Sequence, residues 1–193
     1  GNKFLHAGPG YGGSCFPKDT KALARIGQDH GSPMHITEAV IAVNEDIKRR
    51  MIGKLLDLCD GSFNGKRIAV LGVTFKPNTD DMRDAPSLTI VLALVGEGAQ
   101  VTVCDPQGKH EGEALLPGVM WQDDPYEAAK GADLIVLLTE WNEFRALDLS
   151  KIASGMSHSA MADLRNIYNA SVARDAGFVA YEGVGRPGFR VNA

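Results

Sequence analysis

The chain has 193 residues and a formal net charge of −4, and 44% of its residues are hydrophobic. This length predicts one large domain, or one domain with an additional segment, that buries roughly 70% of its unfolded surface. The net negative charge argues against a basic surface that would bind nucleic acid. No apolar run has the about 18 residues that a membrane-spanning helix needs. Three cysteines at unrelated spacings, Cys15, Cys59 and Cys104, form no disulfide framework. We therefore expect a reduced, cytoplasmic protein that binds neither nucleic acid nor membrane.

The N-terminal part reads as a glycine-rich loop followed by two helices. Because the sequence starts in this loop without a methionine, we expect it to be part of a longer protein. Pro17 favours the first position of a helix that ends at Gly31. Apolar residues then recur every three or four positions from about residue 33 to residue 60, which predicts one helix of roughly 40 Å. We expect so long a helix to bridge domains or subunits.

From residue 66 short apolar runs alternate with helix-like stretches. The runs predicted as strands are residues 66–75, 99–105, 132–139, 159–165 and 177–183, and the predicted helices are residues 87–97, 125–130, 142–153 and 168–176. This alternation predicts an α/β fold with a doubly wound, mostly parallel, Rossmann-like sheet of about five strands. We divide the chain into a loop (1–16), a helical region (17–63) and a Rossmann-like domain (64–193). The tail from residue 183 reads as an irregular surface segment.

Polar and aromatic residues follow the predicted strands at their carboxyl ends, in the segments TFKPNTDD, CDP, TEWNEF and DLRN. Ligands of parallel sheets bind at this edge, and Lys76, Arg83 and Arg165 there suit an anion such as a diphosphate. Ordinary solvated loops are the alternative. A dinucleotide site needs G-x-G-x-x-G after the first strand, where this chain has only Gly72. We therefore expect that this sheet does not bind NAD in that way.

The segment GPGYGGSCFPKD, residues 8–19, combines four glycines with a cysteine. Glycines let backbone N–H groups approach a ligand closely, so the loop is typical of a ligand-binding segment. Cys15 lies next to the positive end of a helix and near Lys18, which favours a nucleophilic thiolate. Asp19 comes four residues later and shares a helix face with Cys15. The alternative for Cys15 is a small buried apolar residue, the role that we expect for Cys59 and Cys104.

Two other chemistries have little support. The five histidines form no arrangement that suits a cysteine–histidine peptidase. His35 and Glu38 have the spacing of a helical metal pair, but such a pair is more often a solvated face. We predict no metal site.

Four motifs in order, GPGYGGSCFPKD, GVTFKPNTDDMRDAPS, TEWNEF and DLRN, resemble the UDP-glucose 6-dehydrogenase family. The resemblance extends from Phe4 to the GVGRP segment near the C terminus. It implies that UDP-glucose is oxidised at C6 to UDP-glucuronate in two hydride transfers to NAD, through a thiohemiacetal and a thioester on Cys15. It also implies an N-terminal NAD-binding half that precedes this chain, and a homodimer formed through the long helix.

The resemblance assigns roles to individual residues. Cys15 and Asp19 match the catalytic nucleophile and the carboxylate that activates or holds water. Lys18 and Arg83 match positions near NAD. The implied substrate-binding residues are Phe4, Leu5, His6, Ala7, Gly8, Tyr11, Gly12, Phe75, Lys76 and Arg165.

Two alternatives remain open. Related dehydrogenases act on GDP-mannose and share the serine and cysteine of GGSC, whereas those acting on UDP-N-acetylated sugars typically have histidine in place of Ser14. The segments SCFPKD and TFKPNTDD favour UDP-glucose. The alternative from another class is a stand-alone sugar-nucleotide-binding module without enzymatic activity.

Overall fold

Two helices lead into a seven-stranded sheet in the computed structural model, which describes residues 5–191. Helix α1 spans Cys15–Asp29 and α2 spans His35–Leu58. The predicted start of the first helix at Pro17 is wrong, because Cys15 already lies in the first turn. Proline is tolerated there because N–H groups of a first turn have no partner within the helix. The long helix is confirmed, and its 24 residues extend about 36 Å.

The strands are β1 (Arg67–Leu71), β2 (Gln100–Cys104), β3 (Met120–Trp121), β4 (Leu134–Leu137), β5 (Ala160–Asp163), β6 (Ala180–Gly183) and β7 (Phe189–Arg190). Their order is β3-β2-β1-β4-β5-β6-β7, and all pairs are parallel except β6 with β7. The doubly wound, mostly parallel fold and its five central strands are therefore confirmed.

Two corrections concern the edges of the sheet, where β3 and β7 raise the number of strands above the predicted five. The tail predicted as irregular contains β7, which pairs with β6 and stacks Phe189 on Tyr181 with ring centroids 6.2 Å apart. Each edge strand has only two residues, too few to show an alternating pattern in the sequence.

The remaining helices are α3 (Pro86–Gly96), α4 (Lys109–Leu115), α5 (Pro125–Ala129), α6 (Asn142–Arg145), α7 (Leu149–Gly155) and α8 (Ala170–Asp175). The single helix predicted over 142–153 is two helices, because Asp148 begins a new one by accepting a hydrogen bond from the backbone N–H of Lys151 at 3.0 Å. Helix α4 was not predicted. It packs its central Gly112 against the Trp121 ring of β3, a contact between two elements that the pattern within one segment does not show.

Both faces of the sheet are covered. Ile68 and Val70 of β1 face one apolar core, which includes residues of α2 and α3, whereas Ala69 and Leu71 face a second core with residues of α5 to α8. This alternation follows from the two-residue period of a strand. With both faces buried, the carboxyl edge of the sheet is the place where a ligand can reach polar groups. Among the helices described, none is long and apolar enough to cross a membrane.

Candidate functional site

The glycine loop, residues 8–13, lies along the carboxyl edge of the sheet. At one end, Gly8 contacts the guanidinium of Arg165, which follows β5. At the other end, the backbone N–H of Gly13 donates to the carbonyl of Arg83 at 2.8 Å. A Cβ atom on Gly13 would lie 2.9 Å from the Phe75 ring, so a glycine is required there. The loop thus brings Phe75 and Arg165, predicted from separate motifs, to one continuous site.

Asn44 of α2 holds the middle of the glycine loop. Its Oδ1 accepts from the backbone N–H of Tyr11 at 2.8 Å, and its Nδ2 donates to the carbonyl of Tyr11 at 3.3 Å. Gly10 has a φ of +123°, and a Cβ atom there would lie 2.8 Å from the same Oδ1. Sequence reasoning missed Asn44. The signal was present, because it is a lone polar residue in the apolar stripe between Val40 and Ile47.

Gly12 packs against the chain that follows β1. A Cβ atom on Gly12 would lie 2.6 Å from the carbonyl oxygen of Asp84 and 2.9 Å from Cα of Ala85. The neighbouring Tyr11 ring meets the Phe16 ring edge to face, with centroids 4.5 Å apart. These contacts connect the glycine loop to the first turn of α1.

Cys15 is exposed in that first turn, and its Sγ lies 3.7 Å from Oγ of Ser14. Asp19 lies one helical turn further on and pairs with Lys18, with Nζ and Oδ1 2.8 Å apart. This hydrogen bond and the Asp19 charge raise the pKa of Lys18, and the negative charge of a Cys15 thiolate adds to the effect. The structure therefore places a thiol, an ammonium group and a carboxylate together at the exposed start of α1.

Arg83 reaches the same region from the β1–α3 connection. Asp81 holds its guanidinium with two hydrogen bonds, from Nε at 2.9 Å and from Nη2 at 2.8 Å. This pair raises the pKa of Arg83, with a smaller contribution from the charge of Cys15, and it lowers the pKa of Asp81. The charge of Cys15 thus contributes to the raised pKa of both cations, Lys18 and Arg83, that the family resemblance predicts near NAD.

A cleft of about 510 Å³ opens between the start of α1, the start of α3 and helix α2. Its lining includes Ser14, Lys18, Lys48, Arg83 and Thr89. The lining also contains one carboxylate, that of Asp84. The three cationic side chains outnumber it, and with two hydroxyl groups and the positive ends of two helices they suit the diphosphate of a dinucleotide. The residues that this chain contributes thus fit the cofactor implied by the sequence.

Arg165 and Lys76 differ in their surroundings. Lys76 is exposed, and its Nζ lies 5.1 Å from the centroid of the Phe75 ring. Arg165 is largely buried, and its Nε lies 2.6 Å from Oε2 of Glu140. Burial raises the pKa of the Glu140 carboxyl, but the close contact with the positively charged Arg165 outweighs it, so the net pKa lies below its ordinary value. Arg165 is therefore held, whereas Lys76 is free to reorient.

Asp105, at the end of β2, organises the loop after β1. Its Oδ2 accepts from the backbone N–H groups of Val73 at 2.7 Å and Thr74 at 3.2 Å, and from Nε1 of Trp141 at 3.3 Å. Its Oδ1 accepts from the backbone N–H of Gly108 at 2.7 Å. In a dinucleotide-binding Rossmann domain an acidic residue after the first βα unit binds the ribose instead. In this chain, donors of the protein itself occupy the Asp105 carboxylate, so it is not available to bind a ribose in that way.

Asp163 plays the corresponding part at the end of β5. It is fully buried and accepts from the backbone N–H of Arg165 at 3.1 Å and of Tyr168 at 2.7 Å. Burial raises the pKa of its carboxyl, and the backbone donors oppose that rise. The turn that carries Arg165 is therefore fixed from within the protein.

Other predicted residues lie away from these contacts. Leu5, His6 and Ala7 are exposed, and Phe4 lies outside the described residues. Nδ1 of His35 lies 3.5 Å from Oε2 of Glu38. Across residues 5–191 no group of three or more potential metal ligands occurs.

Cys59 and Cys104 are buried, which confirms that they are packing residues. Burial raises the pKa of Cys59 to about 11 and that of Cys104 to about 12. Neither thiol forms an appreciable amount of thiolate at neutral pH, so both are poor nucleophiles.

Comparisons with known proteins identify the family to which the chain is similar. Residues 69–170 match the UDP binding domain of the UDP-glucose/GDP-mannose dehydrogenase family, and residues 1–46 match its central domain. The chain is 52% identical over 187 residues to the UDP-glucose 6-dehydrogenase of Rhizobium meliloti (strain 1021), covering 97% of this chain and 43% of that protein. It is 40% identical over 193 residues to the UDP-glucose 6-dehydrogenase of Pseudomonas aeruginosa, covering 97% and 42%. The chain thus spans less than half the length of these curated relatives.

Solved structures share the fold of this chain. A UDP-glucose dehydrogenase from the hyperthermophilic archaeon Pyrobaculum islandicum superposes with a TM-score of 0.80 at 35% identity, covering 95% of this chain and 40% of that one. A GDP-mannose dehydrogenase from Pseudomonas aeruginosa superposes with a TM-score of 0.75 at 23% identity, covering 95% and 41%, and shows the shared fold alone. From these matches and the motifs at the carboxyl edge, the chain belongs to the UDP-glucose/GDP-mannose dehydrogenase family.

Proposed function

We propose that this chain is the substrate-binding and nucleophile-bearing part of an NAD-dependent UDP-glucose 6-dehydrogenase. The observation that carries the proposal is the path of the glycine loop, which connects a buried arginine, Arg165, to an exposed cysteine, Cys15. A sugar nucleotide has the same polarity around its sugar, because the anionic diphosphate is attached at C1 on one side and the reacting C6 alcohol lies on the other. The 52% identity to a UDP-glucose 6-dehydrogenase supports this substrate.

In this proposal the substrate lies along the glycine loop. Arg165 and Lys76 provide positive charge for the diphosphate. Backbone N–H groups and the aromatic rings of Tyr11 and Phe75 line the rest of the path. The loop residues Phe4, Leu5, His6, Ala7, Gly8 and Gly12 complete the substrate-binding set that we assign.

Cys15 holds the substrate between two oxidations. The N-terminal half that we propose, together with Lys18 and Arg83 at the cleft, would hold NAD, and the bound cofactor would supply the hydride acceptor for each oxidation. The Cys15 thiolate attacks the aldehyde carbon, forming a C–S bond while the carbonyl oxygen takes up a proton, and the product is a thiohemiacetal. Its oxidation yields a thioester. The covalent bond prevents a reactive aldehyde from leaving the site.

Asp19 acts in the last step, the hydrolysis of the thioester. Water attacks the carbonyl carbon, the C–S bond breaks, and the carboxylate product leaves while the thiolate is restored. The Asp19 carboxylate orients the water or accepts its proton. Its ion pair with Lys18 restrains the carboxylate in the first turns of α1, on the helix that also carries Cys15.

The exposed apolar surface of the first two helices supports a homodimer. Ile36 and Val43 of α2 are 84% and 64% exposed, and Ile26 of α1 is 56% exposed. A strip of this kind on a long helix is typical of a protein interface. We expect dimers in analytical ultracentrifugation of the full-length protein, and a strict monomer at tens of micromolar protein would contradict this assignment.

The test uses the full-length protein, in which this chain follows its N-terminal half. Calorimetric titration with UDP-glucose and, separately, with GDP-mannose distinguishes the two substrates. Binding of UDP-glucose together with NAD-dependent formation of the acid is the expected result. Preference for GDP-mannose would identify a dehydrogenase that acts on GDP-mannose instead. Binding without turnover would identify a sugar-nucleotide-binding module.

Cys15→Ser tests the nucleophile. We expect this variant to bind UDP-glucose nearly as tightly as the wild type but to form no acid, because a serine hydroxyl is not ionised at neutral pH. The retained affinity serves as the control for folding. Undiminished turnover would remove Cys15 from the mechanism.

A further inference from the structure

Glu140 lies at the carboxyl edge next to the turn that carries Arg165. The parallel pairing of β4 with β5 places Leu137 opposite Asp163, so the residues that follow each strand emerge side by side. Glu140 and Arg165 then meet with Oε2 and Nε 2.6 Å apart, and their side chains are only 16% and 13% exposed. Neither the sequence motifs nor the proposed mechanism gives Glu140 a role.

The contact uses one edge of the guanidinium. It is an ion pair rather than an aligned hydrogen bond, and neither Nε nor Oε2 has another hydrogen-bond partner in the described chain. The terminal nitrogen Nη1 lies instead against Gly8, the first residue of the glycine loop. Asp163 holds the backbone N–H of the arginine at 3.1 Å. Arg165 is therefore restrained at its backbone and at its guanidinium, with Nη1 directed to the loop.

We infer that Glu140 is a positioning residue, which holds the Nε edge of Arg165 so that its Nη atoms face an anionic ligand on the glycine loop. This inference rests on the proposed function. A guanidinium binds phosphate oxygens best through two parallel donors, which requires a defined orientation of its plane. The negative charge of Glu140 also compensates a largely buried cation while no ligand is bound.

Glu140→Gln in the full-length protein removes the charge and retains the size of the side chain. We expect the Kd for UDP-glucose and for UDP to rise about tenfold, which corresponds to about 1.4 kcal/mol, while kcat at saturating substrate stays unchanged. Glu143→Gln is the matched control, because Glu143 follows three residues later, is exposed and has no contact with Arg165 among those described. An unchanged Kd in Glu140→Gln overturns the inference.

A double-mutant cycle separates positioning from a general loss of structure. In an Arg165→Met background, adding Glu140→Gln should weaken UDP binding no further, since Glu140 acts through Arg165. A full additional loss in that background overturns the inference. If Glu140→Gln does not fold, Glu140→Asp replaces it, with the charge retained but withdrawn by one methylene group. Weaker binding in that variant supports the inference, and unchanged binding overturns it.

The outcomes for the two proposals are distinguishable. A wild-type protein that does not bind UDP-glucose overturns the proposed function and this inference with it. A wild-type protein that binds and turns over UDP-glucose, with an unchanged Kd in Glu140→Gln, overturns the inference alone.

Discussion

Asn44→Ala should release the glycine loop from α2. The substitution removes both hydrogen bonds to Tyr11, at 2.8 and 3.3 Å. A hydrogen bond contributes about 1 kcal/mol net, and the half-buried Tyr11 backbone regains water once Asn44 is gone. We therefore expect the loop to lose about 2 kcal/mol of local stability.

Hydrogen exchange measures this loss directly. A decrease of about 2 kcal/mol in the free energy of local opening corresponds to roughly thirtyfold faster exchange of the Tyr11 amide. Hydrogen exchange in the central strands β1 and β4 should be unaffected, because the side-chain hydrogen bonds of Asn44 go to Tyr11 and not to these strands. The Kd for UDP-glucose should also rise, since the ligand must then order the loop itself.

Two further variants define the result. Asn44→Asp retains the acceptor for the Tyr11 N–H but cannot donate to the Tyr11 carbonyl, so its effect should be intermediate. Asn142→Ala is the control, since Asn142 is exposed at the start of α6 and its side chain has no hydrogen bond among those described. If Asn44→Ala leaves both the exchange of Tyr11 and the Kd unchanged, Asn44 does not hold the loop.

Three other outcomes follow from burial and charge. Iodoacetamide should label Cys15 in the native protein and spare the two buried cysteines, which peptide mass spectrometry before and after unfolding measures. Saturating UDP-glucose should slow the labelling of Cys15. Gly72→Ala should destabilise the protein by about 2 kcal/mol or more in urea unfolding, because φ of Gly72 is +84° and the new Cβ would lie 2.8 Å from the backbone nitrogen of Thr139. Gly53 lies in open space on α2, so Gly53→Ala should instead stabilise the protein by about 1 kcal/mol. The folded-state pKa of Glu140 lies below its ordinary value, so its stabilising contribution is present above pH 4.5 and is lost as the pH falls through the folded-state pKa. The stability difference between wild type and Glu140→Gln should therefore disappear on acidification, and a difference that persists at low pH would contradict this assignment.

Local sequence patterns predicted the main elements of the fold. The helical period from residue 33 to residue 60 and the five apolar runs identified α2 and the central strands, because both depend on periodicities within a short segment. The same reasoning missed β3, β7 and α4. These elements are short and depend on contacts with other elements of the fold, such as the Trp121 ring of β3 that packs on Gly112 of α4.

For the site, the sequence by itself determined which chemical groups are present. Cys15, the glycines before it, and the cations of the KPNTDD and DLRN segments were identified from local composition and from the family resemblance. The tertiary structure decided how those groups are oriented. Asn44 is 33 residues from Tyr11, and Asp105 is 36 residues from Trp141. A positioning residue acts through a short distance to its partner and through burial of the contact. Both exist only once folding brings the glycine loop, α2 and the carboxyl edge of the sheet together.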